Sequence, residues 1–243
     1  MINTVIVTGK PAAGKSKMVN HMKDFFAEDG IRVAHIADRT RIEDAVLLDV
    51  VESPVNDDGS RVGQYSKLLF DGGPERRKFD LLDGYLLNTV HEGMIRDAAV
   101  ARSSSQITLM EYAIGPVLDY GQDKPPLLQT AEHLVKAVRA NDILDTTLII
   151  EVDANMEVRG RRNAQRPDFL LPEIFKVFAP DGGEVDYQTA QELGNHYVKF
   201  LNEEDDSERY QSKCREIYRG NIFPHLPREG SIRPESYFPR KER

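Results

Sequence analysis

Cysteine is all but absent. Cys214 is the only one in 243 residues, so no intrachain disulfide can form, and the expected setting is a reducing compartment. No apolar run approaches the ~20 residues a membrane-spanning helix needs, which excludes that class of membrane protein. The chain also lacks a surplus of positive charge. At a formal −8 it cannot present the general basic coat of many nucleic-acid-binding proteins, although local basic pockets remain compatible with that balance. There is no internal repeat and no low-complexity tract. The first apolar segment begins almost at Met1, so the expectation is a cytoplasmic chain without a signal or transit peptide. What remains, 40% hydrophobic and 30% charged residues, is the composition of a globular α/β domain large enough to bury its own core.

One stretch organises the rest: Val5-Ile6-Val7-Thr8-Gly9-Lys10-Pro11-Ala12-Ala13-Gly14-Lys15-Ser16. The spacing Gly9-x4-Gly14-Lys15-Ser16 fills every position of the Walker A pattern. Its context is also right, with an apolar strand before it and helical spacing (Met18, Val19, Met22, Phe25, Phe26) after it. Glycines at both ends let the backbone curl close to an anion, and the loop's N–H groups then converge at the positive end of a helix. Lys15 has the reach for β- and γ-phosphates, and the Ser16 hydroxyl suits a bridging Mg²⁺. The predicted nucleotide-binding set is Gly9, Ala12, Ala13, Gly14, Lys15, Ser16 and Lys17. The plainer alternative is a glycine-rich strand-to-helix turn.

Further strands are predicted at 32–37, 106–110, 147–152 and 196–201, with helices at 15–28, 129–141 and 207–219. Ser66–Phe70 reads as a short helix, and Lys78–Ala99 as a long one despite Gly84 and Gly93. Asp38-Arg39 stands where the second strand ends, on the rim where open α/β sheets bind ligands. Asp38 is a candidate base for an acceptor hydroxyl and Arg39 a holder of an anionic group; a solvated strand end or helix cap is the alternative. The third strand runs into Glu111-Tyr112-Ala113. A carboxylate ending a buried strand needs a task or a partner, so Glu111 is the candidate to hold Mg²⁺ or orient the acceptor, with Tyr112 lining the same cleft. The long insertion 39–105 is where an acceptor pocket is expected, with Arg61, Tyr65, Arg76, Arg77 and His91 as candidates. After the fourth strand, Arg159, Arg162 and Arg166 fall at i, i+3 and i+7, on one helical face. Three like charges there call for an anion, and a triphosphate in transfer is one. A solvated basic face pairing with Glu157 or Asp168 is the alternative. Residues 154–186 read as a lid region and 223–243 as an irregular tail.

With the loop, the acid on the third strand and the arginine-rich segment taken together, the chain resembles the P-loop kinases, and more narrowly the nucleoside/nucleotide kinase-like group. The likeness spans roughly residues 1–205 within a domain of 1–222. It implies a three-layer α/β fold with a five-stranded parallel sheet, helices on both faces and an arginine-rich lid. It further implies Mg²⁺ and ATP as donor, and a small-molecule, nucleoside- or nucleotide-like acceptor. In that scheme Lys15, Asp38, Glu111, Arg159, Arg162 and Arg166 carry catalysis, Ser16 and Glu111 hold the metal, and Arg39, Tyr65, Arg77 and Tyr112 meet the acceptor. Residues 38–105 contain no acceptor signature of thymidylate, adenylate or deoxynucleoside kinases. A nucleic-acid acceptor, a nucleotide-hydrolysing switch and a homodimer stay open.

Overall fold

The computed structural model describes residues 1–70, 77–101, 106–121, 123–128, 130–165, 175–176, 183–203 and 206–226. Arg76, residues 166–174 and 177–182 of the expected lid region, and the tail beyond 226 lie outside them.

Five strands form one parallel sheet: β1 (Thr4–Gly9), β2 (Val33–Ala37), β6 (Ile107–Ala113), β7 (Thr147–Asp153) and β8 (Tyr197–Leu201), in the order β2-β6-β1-β7-β8. The central strand β1 is buried throughout, which is why Val5-Ile6-Val7 at its centre is apolar without alternation. Alternate residues still serve opposite layers. Val5 and Val7 pack with Met18, Met22, Phe25 and Phe26 of α1 (Lys15–Glu28) and with Tyr210 and Cys214 of α7 (Ser207–Ile217). Ile6 packs with Met94 and Ile95 of α3 (Tyr85–Ala101) and Leu134 and Val138 of α4 (Ala131–Ala140) on the other side. Helices therefore cover both faces of the sheet, and the three-layer architecture expected from the sequence is present.

The insertion after β2 differs from its sequence reading. Ser66–Phe70 is a strand, β4, and Lys78–Leu81 is another, β5; with β3 (Arg61–Val62) they make a small antiparallel sheet beside α2 (Asp38–Val50). The expected helix from Lys78 starts only at Tyr85, where the Asp83 carboxylate accepts the Tyr85 N–H at 2.8 Å. The small sheet is pinned to the far end of α2 by one side chain. Asp49 accepts the N–H groups of Gln64, Tyr65 and Ser66 and the Ser66 hydroxyl. Such a tertiary anchor overrides local helical spacing. Ile42, Val46 and Val50 of α2 complete this layer by packing on Leu68, Leu81 and Leu87.

The arginine-bearing segment opens as α5 (Met156–Gln165), and a short α6 (Tyr187–Leu193) precedes β8. The expected irregular tail begins with a short turn, Phe223–His225, whose His225 carbonyl accepts the Ile2 N–H at 2.8 Å.

Candidate functional site

The loop between β1 and α1 is a cradle that only its own residue types can form. Gly9 and Gly14 hold φ of 145° and 111°, and a Cβ on either would run into the Val152 carbonyl or the Asn202 amide respectively. Ala12 sits at φ 60°, a strained conformation for a residue with a Cβ. No side chain caps the start of α1, and its first turn holds no acid but two lysines, Lys15 and Lys17. Cations at a helix N-terminus oppose the macrodipole, and the first N–H groups of an uncapped helix need an acceptor. An anion meets both needs. Lys15 is buried, its ammonium donating to the Lys10 carbonyl at 3.2 Å.

Strand order brings the carboxylates to this cradle. β6 lies between β1 and β2, and Glu111 stands in register with Val7 on one side and Ala37 on the other. The Ser16 hydroxyl donates to Glu111 Oε1 at 2.7 Å, so the two proposed metal-holding groups are in direct contact. Magnesium favours such hard oxygens, in ones and twos, alongside phosphates; the donor set fits that ion. Asp38, next after β2, is buried. Its two oxygens accept the Arg39 N–H at 2.6 Å and the Ala113 N–H at 2.7 Å. Burial first, and then the Glu111 carboxylate, push the Asp38 carboxyl up to about 6, with Lys15 opposing. Asp38 is therefore no solvated strand end. It shares one electrostatic neighbourhood with Lys15 and Glu111.

The raised carboxyl has a sign that can be measured. An unfolded aspartate titrates near ~3.9, so between about pH 4 and about 6 the folded protein keeps a proton the unfolded chain has lost. The resulting stabilisation is complete below that window and is lost as pH rises through it. Urea unfolding of wild type and Asp38→Asn at several pH values should show the difference in stability falling, from acid to neutral, by on the order of 2–3 kcal/mol. A pH-independent difference contradicts the assignment.

The arginines divide. Arg162 reaches the cradle: its guanidinium donates to the Ala13 carbonyl at 3.5 Å and to the Asn202 backbone and side-chain oxygens at 3.0 and 3.3 Å. Arg159 is among the most buried large side chains, with Nε donating to the Ala154 carbonyl at 2.8 Å. It belongs to the body of the domain, not to an exposed basic face. Arg166 lies outside the described residues.

The acceptor candidates divide as well. Arg39 and Arg77 converge on the buried Glu43, which ion-pairs with Arg39 and with Arg77 at 3.4 Å. Arg39 also donates to the Arg77 carbonyl at 2.7 Å and lies over the Phe79 ring. Tyr65 is elsewhere. Its N–H is held by Asp49, eleven residues beyond Asp38 on α2 and so about 16 Å away along the helix, and its ring stacks on Tyr85. Tyr112 is a correction: it is 1% exposed and in the core, 4.2 Å from the His91 ring, so it supports the cleft and does not line it. Burial, raised further by the Asp38 charge, lifts its phenol above the ordinary range. His91 is equally interior, its imidazole pulled down to about 3 by burial and His133. Arg61 lies on β3, an edge strand of the small sheet, its guanidinium on the Ser53 carbonyl at 3.5 Å.

Sequence reasoning missed Glu43, Asn202, Tyr210 and the ion pair between Lys10 and Glu184. Glu43 had a signal, being four residues from Arg39 on one helix. The other three depend on elements far apart in the chain.

No protein-family model and no curated protein matches the chain. Among solved structures it is similar to a sugar kinase from Janibacter sp. HTCC2649, at 10% identity over 94% of this chain and 99% of that one, with a TM-score of 0.47. It is also similar to the shikimate kinase of Acinetobacter baumannii solved with shikimate, at 10% identity over 92% and 96% of the two chains, with a TM-score of 0.43. Among the described residues no helix is long and apolar enough to cross a membrane.

Proposed function

We propose that this protein is a phosphotransferase that moves the γ-phosphoryl group of ATP to a hydroxyl of a small anionic acceptor. The observation that carries the reading is the convergence of Lys15, Ser16, Glu111 and Asp38 at the carboxyl ends of three adjacent strands. A fold that buried two of these side chains, Lys15 and Asp38, only for stability would incur desolvation with no compensating gain.

Each group has a distinct task. The loop from Gly9 to Ser16 binds the phosphates through its N–H groups, and Lys15 moves its ammonium from the Lys10 carbonyl to the bound anion. Ser16 and Glu111 would hold Mg²⁺, which when bound would offset phosphate charge. Asp38, ionised above about pH 6, accepts the proton of the attacking hydroxyl. That oxygen forms its bond to the γ-phosphorus as the bond to the β–γ bridging oxygen breaks and ADP leaves. Arg39 and Arg77, oriented by Glu43, take the acceptor's anionic group. A nucleotide, with a sugar hydroxyl and a phosphate, meets both requirements.

Glu43→Gln keeps the shape but releases the two guanidinium groups from their common partner. The acceptor KM should rise by about tenfold, the weight of one charge-assisted hydrogen bond, with kcat much less affected. Equal falls in kcat at unchanged KM contradict this role. The reading itself is tested by incubating the protein with γ-labelled ATP and pooled nucleosides, nucleotides, sugars, hydroxy acids and oligonucleotides. Label on a small anionic molecule supports it. Label on an oligonucleotide replaces the acceptor with nucleic acid, and label only in free phosphate replaces transfer with hydrolysis.

A further inference from the structure

Two carbonyl oxygens of the cradle, those of Ala13 and Gly14, take side-chain donors from the other end of the chain. Asn202, which follows β8, donates its side-chain amide to the Ala13 carbonyl at 2.5 Å. Tyr210, in α7, donates its hydroxyl to the Gly14 carbonyl at 2.9 Å. Both side chains are themselves fixed. The Asn202 N–H is held by the Asp153 carbonyl at 2.7 Å, and its two oxygens accept the Arg162 guanidinium. The Tyr210 ring meets Phe200 edge-on at 5.0 Å and carries the Lys17 ammonium over its face at 4.5 Å. A Cβ on Gly14 would collide with the Asn202 amide and touch the Tyr210 hydroxyl. The glycine is thus required by these two side chains as well as by its φ.

In a trans peptide the carbonyl of one residue and the N–H of the next point in opposite directions. A donor that holds the Ala13 carbonyl therefore sets the direction of the Gly14 N–H, and one that holds the Gly14 carbonyl sets that of the Lys15 N–H. These are the N–H groups at the junction of loop and helix, where the anion is to be bound. Peptides beside a glycine rotate with little steric resistance; at the Gly14 carbonyl the Met18 N–H of α1, at 3.1 Å, opposes that rotation, and Tyr210 adds a second donor there. We propose that Asn202 and Tyr210 are positioning residues for polyphosphate binding: they turn two cradle carbonyls outward and so hold two N–H groups inward before the ligand arrives. The proposal rests on the phosphate-binding reading of the loop and adds what pre-organises it, which lowers the ordering cost of binding.

The test is equilibrium dialysis of the 243-residue chain with labelled Mg-ATP, paired with thermal unfolding. Tyr210→Phe removes one hydroxyl, and Asn202→Ser withdraws the amide. Tyr218→Phe is the comparator, since it loses a like hydrogen bond, to Asp29 Oδ2 at 2.7 Å, on the same side of the sheet but away from the loop. Tyr210→Phe should weaken ATP binding by about three- to tenfold, the range of a single net hydrogen bond, and Asn202→Ser by at least as much. Tyr218→Phe should bind as wild type does despite a comparable fall in Tm. Wild-type affinity in both Asn202→Ser and Tyr210→Phe overturns the proposal, as does an equal loss of affinity in Tyr218→Phe. A wild type that binds no ATP removes the cradle reading itself, and the positioning role with it.

Discussion

Lys15→Ala is expected to reduce phosphoryl transfer by at least about 10³-fold, the scale on which a positioned charge in a phosphoryl- or acyl-transfer site acts, while the protein stays folded. The reason lies in where the ammonium sits. It is buried at the first turn of α1, against the carbonyl of Lys10 at 3.2 Å and within the field of Asp38. A cation at that end of a helix is unfavourable to the helix alone, so its removal should leave α1 intact. The fold's stability rests instead on the face bearing Met18, Met22, Phe25 and Phe26, all inside the core. Rates measured by label transfer, with Tm as the control for folding, decide the point. Turnover near the wild-type value would take Lys15 out of the mechanism.

Asp38→Asn is the second large effect, a loss of about 10²- to 10⁴-fold for a hydroxyl acceptor, as for other positioned bases. The substitution removes the base, and it also sets an NH₂ group against one of two N–H donors, those of Arg39 and Ala113. Some of the loss is therefore misplacement, and a pH profile separates the two contributions. Wild-type kcat/KM should fall as pH drops through about 6, where the buried carboxyl takes up its proton; the variant should be slow and flat through that region. A variant that keeps wild-type rates would transfer the role to Glu111 or make the acceptor a phosphate, which needs no base.

The legibility of this chain follows the range of the interactions. The parallel sheet could be read because buried strands such as Val5-Ile6-Val7 and Leu148-Ile149-Ile150 are apolar on both sides. The cradle could be read because its backbone demands glycine at two fixed positions. Glu111 could be read because a carboxylate at the end of a buried strand is costly, and the Ser16 contact supplies its partner. The small sheet could not, because Ser66–Phe70 and Lys78–Leu81 are strands through pairing with each other and through the Asp49 anchor. A helical period that runs on from Leu81 and Leu82 into α3 disguised the boundary, although Asp83-Gly84 carried a helix-start signal. Tyr112 was misplaced for a related reason: along β6 its side chain points into the layer of His91 and Ile114, while its neighbour Glu111 points to the cradle. Strand alternation alone says that the two differ, not which one faces the ligand. Asn202 and Tyr210 left no trace near the loop they touch, since their contacts close over almost two hundred residues.

A crystal structure with Mg²⁺ and a non-hydrolysable ATP analogue would show directly whether the loop from Gly9 to Ser16 binds a polyphosphate. Phosphate oxygens are expected within hydrogen-bond distance of the Gly14, Lys15 and Ser16 N–H groups, with the Lys15 ammonium shifted off the Lys10 carbonyl and the ion on Ser16 Oγ. Analogue bound at any other place, or none bound between Gly9 and Ser16 at saturating concentration, would contradict that role of the loop.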